Sequence, residues 1–518
     1  MDAPAFASRW ERAVASVPDR PFLLWDDGSG ATASWTYEQF DRLVAEVAGW
    51  LADQGAGAGT GIHLALPNSP AFVALWLASV RTGAWILPAD PQATPQEMRQ
   101  QIELARPRLG VCAAESASAY APAAGQLDHV TAVDPLDTEL APVCGRALDW
   151  ARLRHPAPRD RAAVMFTSGT TSTPKGVVVT QANYAFAGDV MAAAAALTAA
   201  HRQLVVLPLF HANAQYYSFA SAICAGASVA LMSRFSASRF MEQAARYRVT
   251  HASLFAAPMR MILARGAERV PGSALQHVWY AQNVSEAQYL ELSAVFGCRP
   301  RQLYGMTETI PAVLTSSALA PESGAMGHPT LGCQVRLGDL GNGAEVPVGE
   351  VGEILVAGVP GVTLFGGYLD NATATAAAMR DGWFRTGDRA IVDDRGYYRF
   401  AGRASEILKV AGENVSTVEV EAVLAQHPQV LEAAVVGRPD ALRDEVPVGY
   451  VVSMPGTTGL TASALADWCA RHLAPVKRPR DIYLVQELPR TSVGKIRKFL
   501  LAGHGGAAGE KTMHSGTN

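Results

Sequence analysis

The chain lacks the features that mark several broad protein classes. Its 43 basic and 47 acidic residues give a net charge of −4, without the basic excess of nucleic-acid binders. The longest apolar run, residues 71–80, is too short to span a bilayer, and residues 1–14 contain no apolar signal-peptide core. We therefore expect no nucleic-acid partner, no membrane partner and no secretory signal.

The cysteines are few and widely separated. They show no CxxC or Cys/His spacing, which argues against a zinc site or a disulfide framework and favours a reducing, cytoplasmic compartment. The six positions are Cys112, Cys144, Cys224, Cys298, Cys333 and Cys469.

The composition that is present favours a large α/β protein. With 518 residues, of which 49% are hydrophobic, the chain is long enough for more than one domain. Apolar spacing near 3.6 predicts an amphipathic helix over 35–50 and a buried helix over 70–82. Buried strands are predicted at Ile62–Leu66 and Ala84–Pro88. This alternation predicts layered α/β subdomains with parallel strand pairing.

The same alternation continues downstream before the pattern changes. We predict helices at Ser238–Arg246 and Glu286–Phe296 and strands at Gln203–Leu207, Ser228–Leu231, Val278–Ala281 and Arg301–Leu303. From 325 to 400, short strands alternate with glycine, which indicates an antiparallel β module. Its predicted strands include Gly349–Gly358, Gly361–Tyr368 and Gly396–Phe400.

A small C-terminal α+β unit is predicted after Arg403. Ser416 and Glu419 have the spacing of a capping box ahead of a helix over 417–426. The predicted domains are an N-terminal domain over 1–402, a C-terminal domain over 403–502, and a Gly-rich polar tail over 503–518 that we expect to be disordered.

The strongest local motif is the segment Thr167–Gly176. Hydroxyl side chains and glycines surround Lys175, so backbone N–H groups, hydroxyls and one ammonium can point at phosphate oxygens. The Walker A order is absent. The alternative interpretation is an ordinary polar surface turn.

That segment resembles the phosphate-binding signature of the adenylate-forming superfamily, which includes acyl-CoA synthetases, adenylation domains and luciferases. The resemblance extends from about residue 10 to 502. The further motifs, in family order, are Trp35–Tyr37, Pro67–Ser69, Pro208–His211, Tyr304–Glu308, Thr386–Asp388, Gly402–Arg403, Gly412–Val415 and Gly494–Lys495.

The resemblance implies a role for each matching position. The residues implied to bind ATP are Thr167, Ser168, Gly169, Thr170, Thr171, Lys175, Ala281, Gln282, Asn283, Tyr304, Gly305, Met306, Asp388 and Arg403. Within that set Asp388 accepts the ribose hydroxyls, and 281–283 abuts adenine. Thr307 contacts phosphate, and Glu308 holds Mg²⁺. As a structural alternative, Glu308 is a helix-start carboxylate.

Four further positions relate to the reaction steps. Lys495 is implied to bridge the substrate carboxylate and the α-phosphate, neutralising two anions that must approach each other. Gly412 lines the pantetheine tunnel of CoA, where a side chain would block the thiol arm. His211 occupies a gate position of the acid pocket, with a simply packed histidine as the structural alternative. The small C-terminal domain is implied to be mobile and to rotate between the two steps, with Ser405 at the pivot position.

The acid pocket is expected near His211, Ala214, Gln215, 281–283 and Ile310–Val313. Ala281-Gln282-Asn283 replaces the Gly-Gly-Ala of many relatives, which suggests a smaller or more polar acyl group. The cluster Lys477, Arg478 and Arg480 is either a contact for CoA phosphates or a solvated loop.

The stretch from Arg403 to Lys495 looks most like the carnitine/crotonobetaine-type CoA ligases, through Gly412–Glu421 and Arg443–Glu445. The leading function is therefore an AMP-forming acid:CoA ligase that uses ATP, Mg²⁺ and CoA. Alternatives are adenylation with another acceptor, namely a carrier-protein thiol, an amine or nitrite for diazotisation, and a non-catalytic nucleotide binder. The acid and the oligomeric state, with a homodimer as one alternative, stay open.

Overall fold

The structure is a computed structural model that describes residues 3–30, 32–167, 174–403, 407–410, 413–440, 443–490 and 496–502. The chain divides into two compact units, Met1–Phe400 and Ala401–Asn518. The tail predicted over 503–518 lies outside the described residues. All six cysteines are described, and each is a free thiol.

The described residues contain a single π-helix, Asn213–Ala220, which leads directly into an α-helix. The α-helices are α1 (Phe6–Ser16), α2 (Tyr37–Asp53), α3 (Pro70–Thr82), α4 (Pro95–Ala105), α5 (Ala117–Tyr120), α6 (Gln181–Ala194), α7 (Ser221–Ala225), α8 (Phe240–Arg246), α9 (Ala256–Ala264), α10 (Glu286–Phe296), α11 (Ala372–Ala378), α12 (Thr417–Ala425), α13 (Ala462–His472) and α14 (Lys498–Ala502).

The strands form four sheets. They are β1 (Pro21–Asp26), β2 (Thr32–Thr36), β3 (Gly61–Ala65), β4 (Trp85–Pro88), β5 (Leu109–Ala113), β6 (His129–Val133), β7 (Arg161–Thr167), β8 (Lys175–Thr180), β9 (Arg202–Val205), β10 (Ser228–Met232), β11 (His251–Phe255), β12 (His277–Ala281), β13 (Arg301–Tyr304), β14 (Leu314–Thr315), β15 (His328–Pro329), β16 (Gln334–Gly338), β17 (Val351–Ala357), β18 (Met379–Arg380), β19 (Trp383–Val392), β20 (Tyr398–Arg403), β21 (Ile407–Val410), β22 (Glu413–Ser416), β23 (Val430–Asp440), β24 (Asp444–Ser453) and β25 (Asp481–Leu484).

Two mostly parallel sheets form the framework of the first unit. One has the strand order β6-β5-β3-β4-β7-β8, and all its neighbours are parallel except the β7–β8 hairpin. The other has the order β15-β14-β13-β12-β11-β9-β10-β1-β2 and is parallel from β13 to β1. The α/β class predicted from the sequence is confirmed, and the carboxyl ends of β12 and β13 lie side by side.

Local sequence signals set the helix limits. Ser69 caps α3 by accepting a hydrogen bond from the N–H of Phe72 (3.2 Å), and Gly83 ends the helix with a φ of 76°. Residues 70–81 of α3 are all buried, so the apolar run belongs to a core helix. The helix predicted over 35–50 begins at Tyr37, because Thr36 and Gln39 form a reciprocal capping box at the end of β2. No helix of the described residues is long and apolar enough to cross a membrane.

The β module is antiparallel, with the order β16-β17-β19-β18 and β20 paired to β19. The strand predicted over Gly361–Tyr368 is wrong. Gly361 and Gly367 have φ values of 71° and 116°, which break an extended conformation. The end of this segment instead hydrogen-bonds to β8, through Gly366 N–H to Val178 O at 2.8 Å and Leu369 N–H to Gly176 O at 2.7 Å.

The second unit is a small α+β fold, as predicted. Its sheet has the order β22-β21-β24-β23, and β25 pairs in parallel with β24. Leu408, Val420, Leu424, Val451 and Leu465 belong to its buried core. Ser416 caps α12 by accepting from the N–H of Glu419 at 3.4 Å, which is one of the two hydrogen bonds of the predicted capping box.

Candidate functional site

The phosphate-loop motif joins the two strands of a hairpin. β7 ends at Thr167 and β8 begins at Lys175, and these two residues are paired across the ladder. Ser168, Gly169, Thr170 and Thr171 lie outside the described residues. The Lys175 ammonium lies 5.0 Å from the centroid of the Tyr368 ring, a cation–π distance. The side chain of Lys175 therefore lies beside the segment Gly366–Leu369, whose backbone hydrogen-bonds to β8.

Tyr368 connects this lysine to the carboxylate predicted to hold Mg²⁺. Its hydroxyl donates a hydrogen bond to Glu308 Oε1 at 3.0 Å, and Glu308 is only 4% exposed. Burial and the nearby Glu308 carboxylate raise the pKa of Tyr368, so the phenol keeps its proton and acts as a donor at neutral pH. The Phe365 N–H donates to the Glu308 carbonyl at 3.0 Å, which fixes the backbone beside the carboxylate.

A second tyrosine fixes the carboxylate predicted to bind ribose. Tyr304 Oη donates to Asp388 Oδ2 at 2.7 Å. Asp388 is 2% exposed, and its N–H donates to Thr386 Oγ1 at 3.1 Å after Gly387 turns the chain with a φ of 73°. Tyr304 is the last residue of β13, so the parallel sheet positions the donor and the β module positions the acceptor.

The Tyr304–Glu308 turn requires a glycine at its second position. A Cβ on Gly305 would lie 2.8 Å from the Tyr217 hydroxyl and 2.9 Å from the Pro311 carbonyl, both too close. The Met306 N–H donates to Thr309 Oγ1 at 2.8 Å. Thr307 is half-buried in this turn. The tight turn brings Thr307 and Glu308 next to the end of β13.

The segment 281–283 follows β12 at the same sheet edge. Gln282 and Asn283 are exposed, and Gln282 has a left-handed φ of 71°. Gln302 Nε2, on the neighbouring strand β13, donates to Asn283 Oδ1 at 2.7 Å. The sequence did not indicate Gln302 or Tyr368, because the contacts that give them importance come from distant parts of the chain.

The Pro208–His211 motif leads directly into the π-helix. His211 is half-buried, and its ring centroid lies 4.5 Å from that of Phe210. Gln215, expected in the acid pocket, has both amide atoms engaged within the protein. Its Nε2 donates to Leu209 O at 2.6 Å, and its Oε1 accepts from the Tyr184 hydroxyl. Gln215 is therefore a structural residue of the π-helix rather than a free polar group of the acid pocket.

The second unit contains the remaining predicted residues. Arg403 is half-buried at the end of β20, while Ser405, Gly412 and Lys495 lie outside the described residues. In the basic cluster, Lys477 Nζ contacts both oxygens of Glu419 at 2.7 and 2.8 Å, and Arg478 donates to the carbonyls of Ala470 and Leu473 at the end of α13. Lys477 and Arg478 therefore have partners in their own unit.

The chemistry of the donors suits a nucleotide with one divalent cation. The described residues contain no group of three or more His, Cys, Asp or Glu that would form an all-protein metal cage. Mg²⁺ in nucleotide sites needs only one or two carboxylates, because phosphate oxygens and water complete its octahedron. The buried, hydrogen-bonded Glu308 carboxylate fits that requirement.

Comparisons with known proteins agree along most of the chain. The family described as AMP-binding enzyme matches residues 10–369, and the AMP-binding enzyme C-terminal domain matches 419–495. The crotonobetaine/carnitine–CoA ligase of Citrobacter koseri is 30% identical over 503 residues, covering 94% of this chain and 97% of its own length. The same enzyme of Shigella flexneri is 30% identical over 517 residues, covering 94% and 96%.

Solved structures give the same result. A benzoate CoA ligase from Burkholderia xenovorans superposes with a TM-score of 0.87 at 26% identity, covering 96% of this chain and 100% of that one. The o-succinylbenzoate coenzyme A synthetase of Bacillus subtilis, in complex with AMP, has a TM-score of 0.84 at 25% identity and covers 99% and 100%.

Proposed function

The chain belongs to the AMP-binding enzyme family, and we propose that it activates a carboxylic acid with ATP and transfers the acyl group to CoA. It is an AMP-forming ligase of the acyl-CoA synthetase type, with ATP, Mg²⁺ and CoA as its cofactors and a small-molecule acid as its substrate.

The observation that carries the proposal is the series of contacts from Lys175 through Tyr368 to Glu308. A cation that starts β8, a protonated phenol and a buried carboxylate follow one another within hydrogen-bond or cation–π distance. This order suits a substrate with a terminal polyphosphate and a metal ion. The tyrosine-held Asp388 adds an acceptor for a vicinal diol, since a fixed carboxylate has two oxygens for two hydroxyls.

We assign the metal role to Glu308. Mg²⁺, when bound, neutralises phosphate charge and orients the leaving pyrophosphate. Tyr368 keeps the Glu308 carboxylate in one orientation. Thr307, in the same turn, supplies a hydroxyl donor to phosphate, and Thr167, Ser168, Gly169, Thr170, Thr171 and Lys175 are the proposed grip on the outgoing phosphates.

The first step joins two anions. A carboxylate oxygen of the acid attacks the α-phosphorus of ATP, the bond to the bridging oxygen breaks, and pyrophosphate leaves with that electron pair. Lys495 is the proposed cation that contacts both the carboxylate and the α-phosphate, which lowers the repulsion in the transition state. Arg403, with Asp388, is proposed to hold the ribose.

The second step consumes the acyl-adenylate. The CoA thiol, after losing its proton, attacks the acyl carbon, the carbon–oxygen bond breaks, and AMP leaves. Gly412 is the proposed passage for the pantetheine arm, and His211 the residue at the gate of the acid pocket. Ala281, Gln282 and Asn283, with Gly305 and Met306, are proposed to border the adenine.

A panel of carboxylic acids tests the proposal. Each acid is incubated with MgATP, with and without CoA, and AMP and pyrophosphate are quantified. The proposal expects acid-dependent pyrophosphate release, with CoA accelerating AMP formation. AMP formation that depends on nitrite and an aromatic amine would assign the enzyme to diazotisation instead. Nucleotide binding without AMP from any acid would favour the non-catalytic alternative.

We also propose a cytoplasmic location for the protein, with a homodimer as one alternative for its assembly. Light scattering of the purified protein distinguishes a homodimer from a monomer. The six free thiols are compatible with the reducing cytoplasm that their spacing predicts.

A further inference from the structure

The π-helix Asn213–Ala220 forms a wall of the candidate site. It begins two residues after His211, and π-type turns occur frequently at functional sites. Tyr217 places its hydroxyl so close to Gly305 that no side chain fits there. Tyr216 places its hydroxyl 3.7 Å from the sulfur of Met165 on β7, the strand that leads to the phosphate loop. The π-helix therefore packs against the Tyr304–Glu308 turn and against the strand that leads to the phosphate loop.

Two buried amides near the start of this helix differ in one respect. Gln215 is fully buried, and both its amide atoms are hydrogen-bonded to Leu209 and Tyr184. Asn213 is 6% exposed, and neither its Oδ1 nor its Nδ2 has a hydrogen-bond partner among the described residues. A buried donor and acceptor left unpaired each cost about 1–3 kcal/mol, so natural proteins retain such groups for a reason.

The position of Asn213 indicates that reason. It precedes Tyr217 by four residues, which is about one turn of a helix whose hydrogen bonds join residues five apart. It therefore lies on the same side as the residue that contacts the Tyr304–Glu308 turn. Its neighbours Ala212 and Ala214 have small apolar side chains, which offer the amide no polar partner. A carboxamide is neutral and offers one hydrogen-bond donor and one acceptor group.

We infer that Asn213 binds an uncharged hydroxyl group on the acyl part of the substrate, which makes the substrate class hydroxylated carboxylic acids. A hydroxyl donates to Asn213 Oδ1 and accepts from Nδ2, so both unpaired atoms are satisfied when the acid enters. A charged substituent would receive no compensating charge from this neutral amide. The inference rests on the proposed function, since it requires that an acid bind beside this helix.

Matched pairs of acids test the inference. The kcat/KM for acid-dependent AMP formation is measured for 3-hydroxybenzoate against benzoate, 4-hydroxybenzoate against benzoate, and 3-hydroxybutyrate against butyrate. In the wild type, the hydroxylated member of at least one pair is expected to be preferred about 10- to 100-fold, the effect of one paired hydrogen-bonding group. In Asn213→Leu, which keeps the branched shape of the side chain and removes both polar atoms, that ratio is expected to fall toward one.

Gln215→Met is the matched control, because it removes an amide that already has its partners. It is expected to lower the thermal midpoint and to keep the wild-type ratio within each acid pair. Asn213→Leu is expected to keep or raise the thermal midpoint of the ligand-free enzyme, since it removes an unpaired buried amide.

Three outcomes have distinct meanings. No hydroxyl preference in any pair, or the same preference in Asn213→Leu as in the wild type, overturns the inference and leaves the ligase function standing. A lowered midpoint in Asn213→Leu with an unchanged ratio assigns the amide to a bound water alone and also overturns it. Failure of the wild type to form AMP with any acid overturns the proposed function itself.

Discussion

The hydroxyl of Tyr304 lies 2.7 Å from Oδ2 of Asp388, although the two residues belong to different sheets of the first unit. This hydrogen bond orients a buried carboxylate before any ribose reaches it. An oriented acceptor loses less freedom on binding than one that must be fixed by the ligand.

Removal of that hydroxyl should weaken nucleotide use. We expect Tyr304→Phe to lower kcat/KM for ATP about 10- to 100-fold, the range for losing a hydrogen bond to a charged group. The KM for ATP should account for most of the change, while the KM for the acid should change little. Tyr397→Phe removes a hydroxyl bonded to the Ala320 carbonyl at 3.1 Å and serves as the control. Equal losses in both variants would contradict the assigned role.

Metal affinity should depend on Tyr368. We expect Tyr368→Phe to raise the Mg²⁺ concentration for half-maximal AMP formation about tenfold, because groups that orient a metal-binding carboxylate tune its affinity. The measurement is a Mg²⁺ titration at saturating ATP and acid. Glu308→Gln should abolish the response to Mg²⁺ over the same range. An unchanged titration in Tyr368→Phe would separate this tyrosine from the metal.

The adenylation step should depend on Lys495 far more than thioester formation does. We expect Lys495→Ala to lower the rate of adenylation about 100- to 1000-fold, by analogy with losing one transition-state donor. Thioester formation from a supplied acyl-adenylate should lose much less. A rapid-quench comparison of the two half-reactions measures this difference, and full adenylation by the variant would remove Lys495 from the mechanism.

Stability should fall on acidification because of buried histidines. Burial lowers the pKa of His251 to about 4 and that of His277 well below its usual value, with Arg301 and His201 adding to the effect. Between pH 6.5 and 4 the unfolded chain takes up protons that folded His251 does not. Stability is therefore complete above pH 6.5 and is lost as the pH falls, by about 1.4 kcal/mol per pH unit for each such histidine.

Urea unfolding between pH 4.5 and 7.5 tests this dependence. His251→Gln should reduce the slope of the pH profile and leave the part due to His277, while substitution of the exposed His129 by Gln should leave the slope intact. The packing behind the expectation is specific: the rings of His251 and His277 stack at 5.1 Å on adjacent strands, and His251 Nε2 lies 3.1 Å from the Ala195 carbonyl. A profile that is flat in the wild type would contradict the neutral, buried state of these rings.

Local signals predicted the framework well, because they act within a few residues. The limits of α10 agree with the prediction, since Ser285 caps it and Gly297 ends it with a φ of 73°. The prediction of a strand over Gly361–Tyr368 was wrong, because two glycines with positive φ break the strand that the apolar residues suggest. The unpaired amide of Asn213 and the contacts of Tyr368 could not be predicted from the sequence, since they depend on which distant groups the fold brings together.

The pairing of Thr167 with Lys175 also separates the stability of the protein from the composition of its phosphate loop. The hairpin holds the two ends of residues 168–174 together whatever lies between them. Loop-closure entropy grows slowly, with a cost of about 0.6 kcal/mol for each doubling of length. Substitutions and insertions in this loop are therefore inexpensive for folding. Changes in residues 168–174 are therefore expected to impair the use of the nucleotide before they affect the stability of the fold.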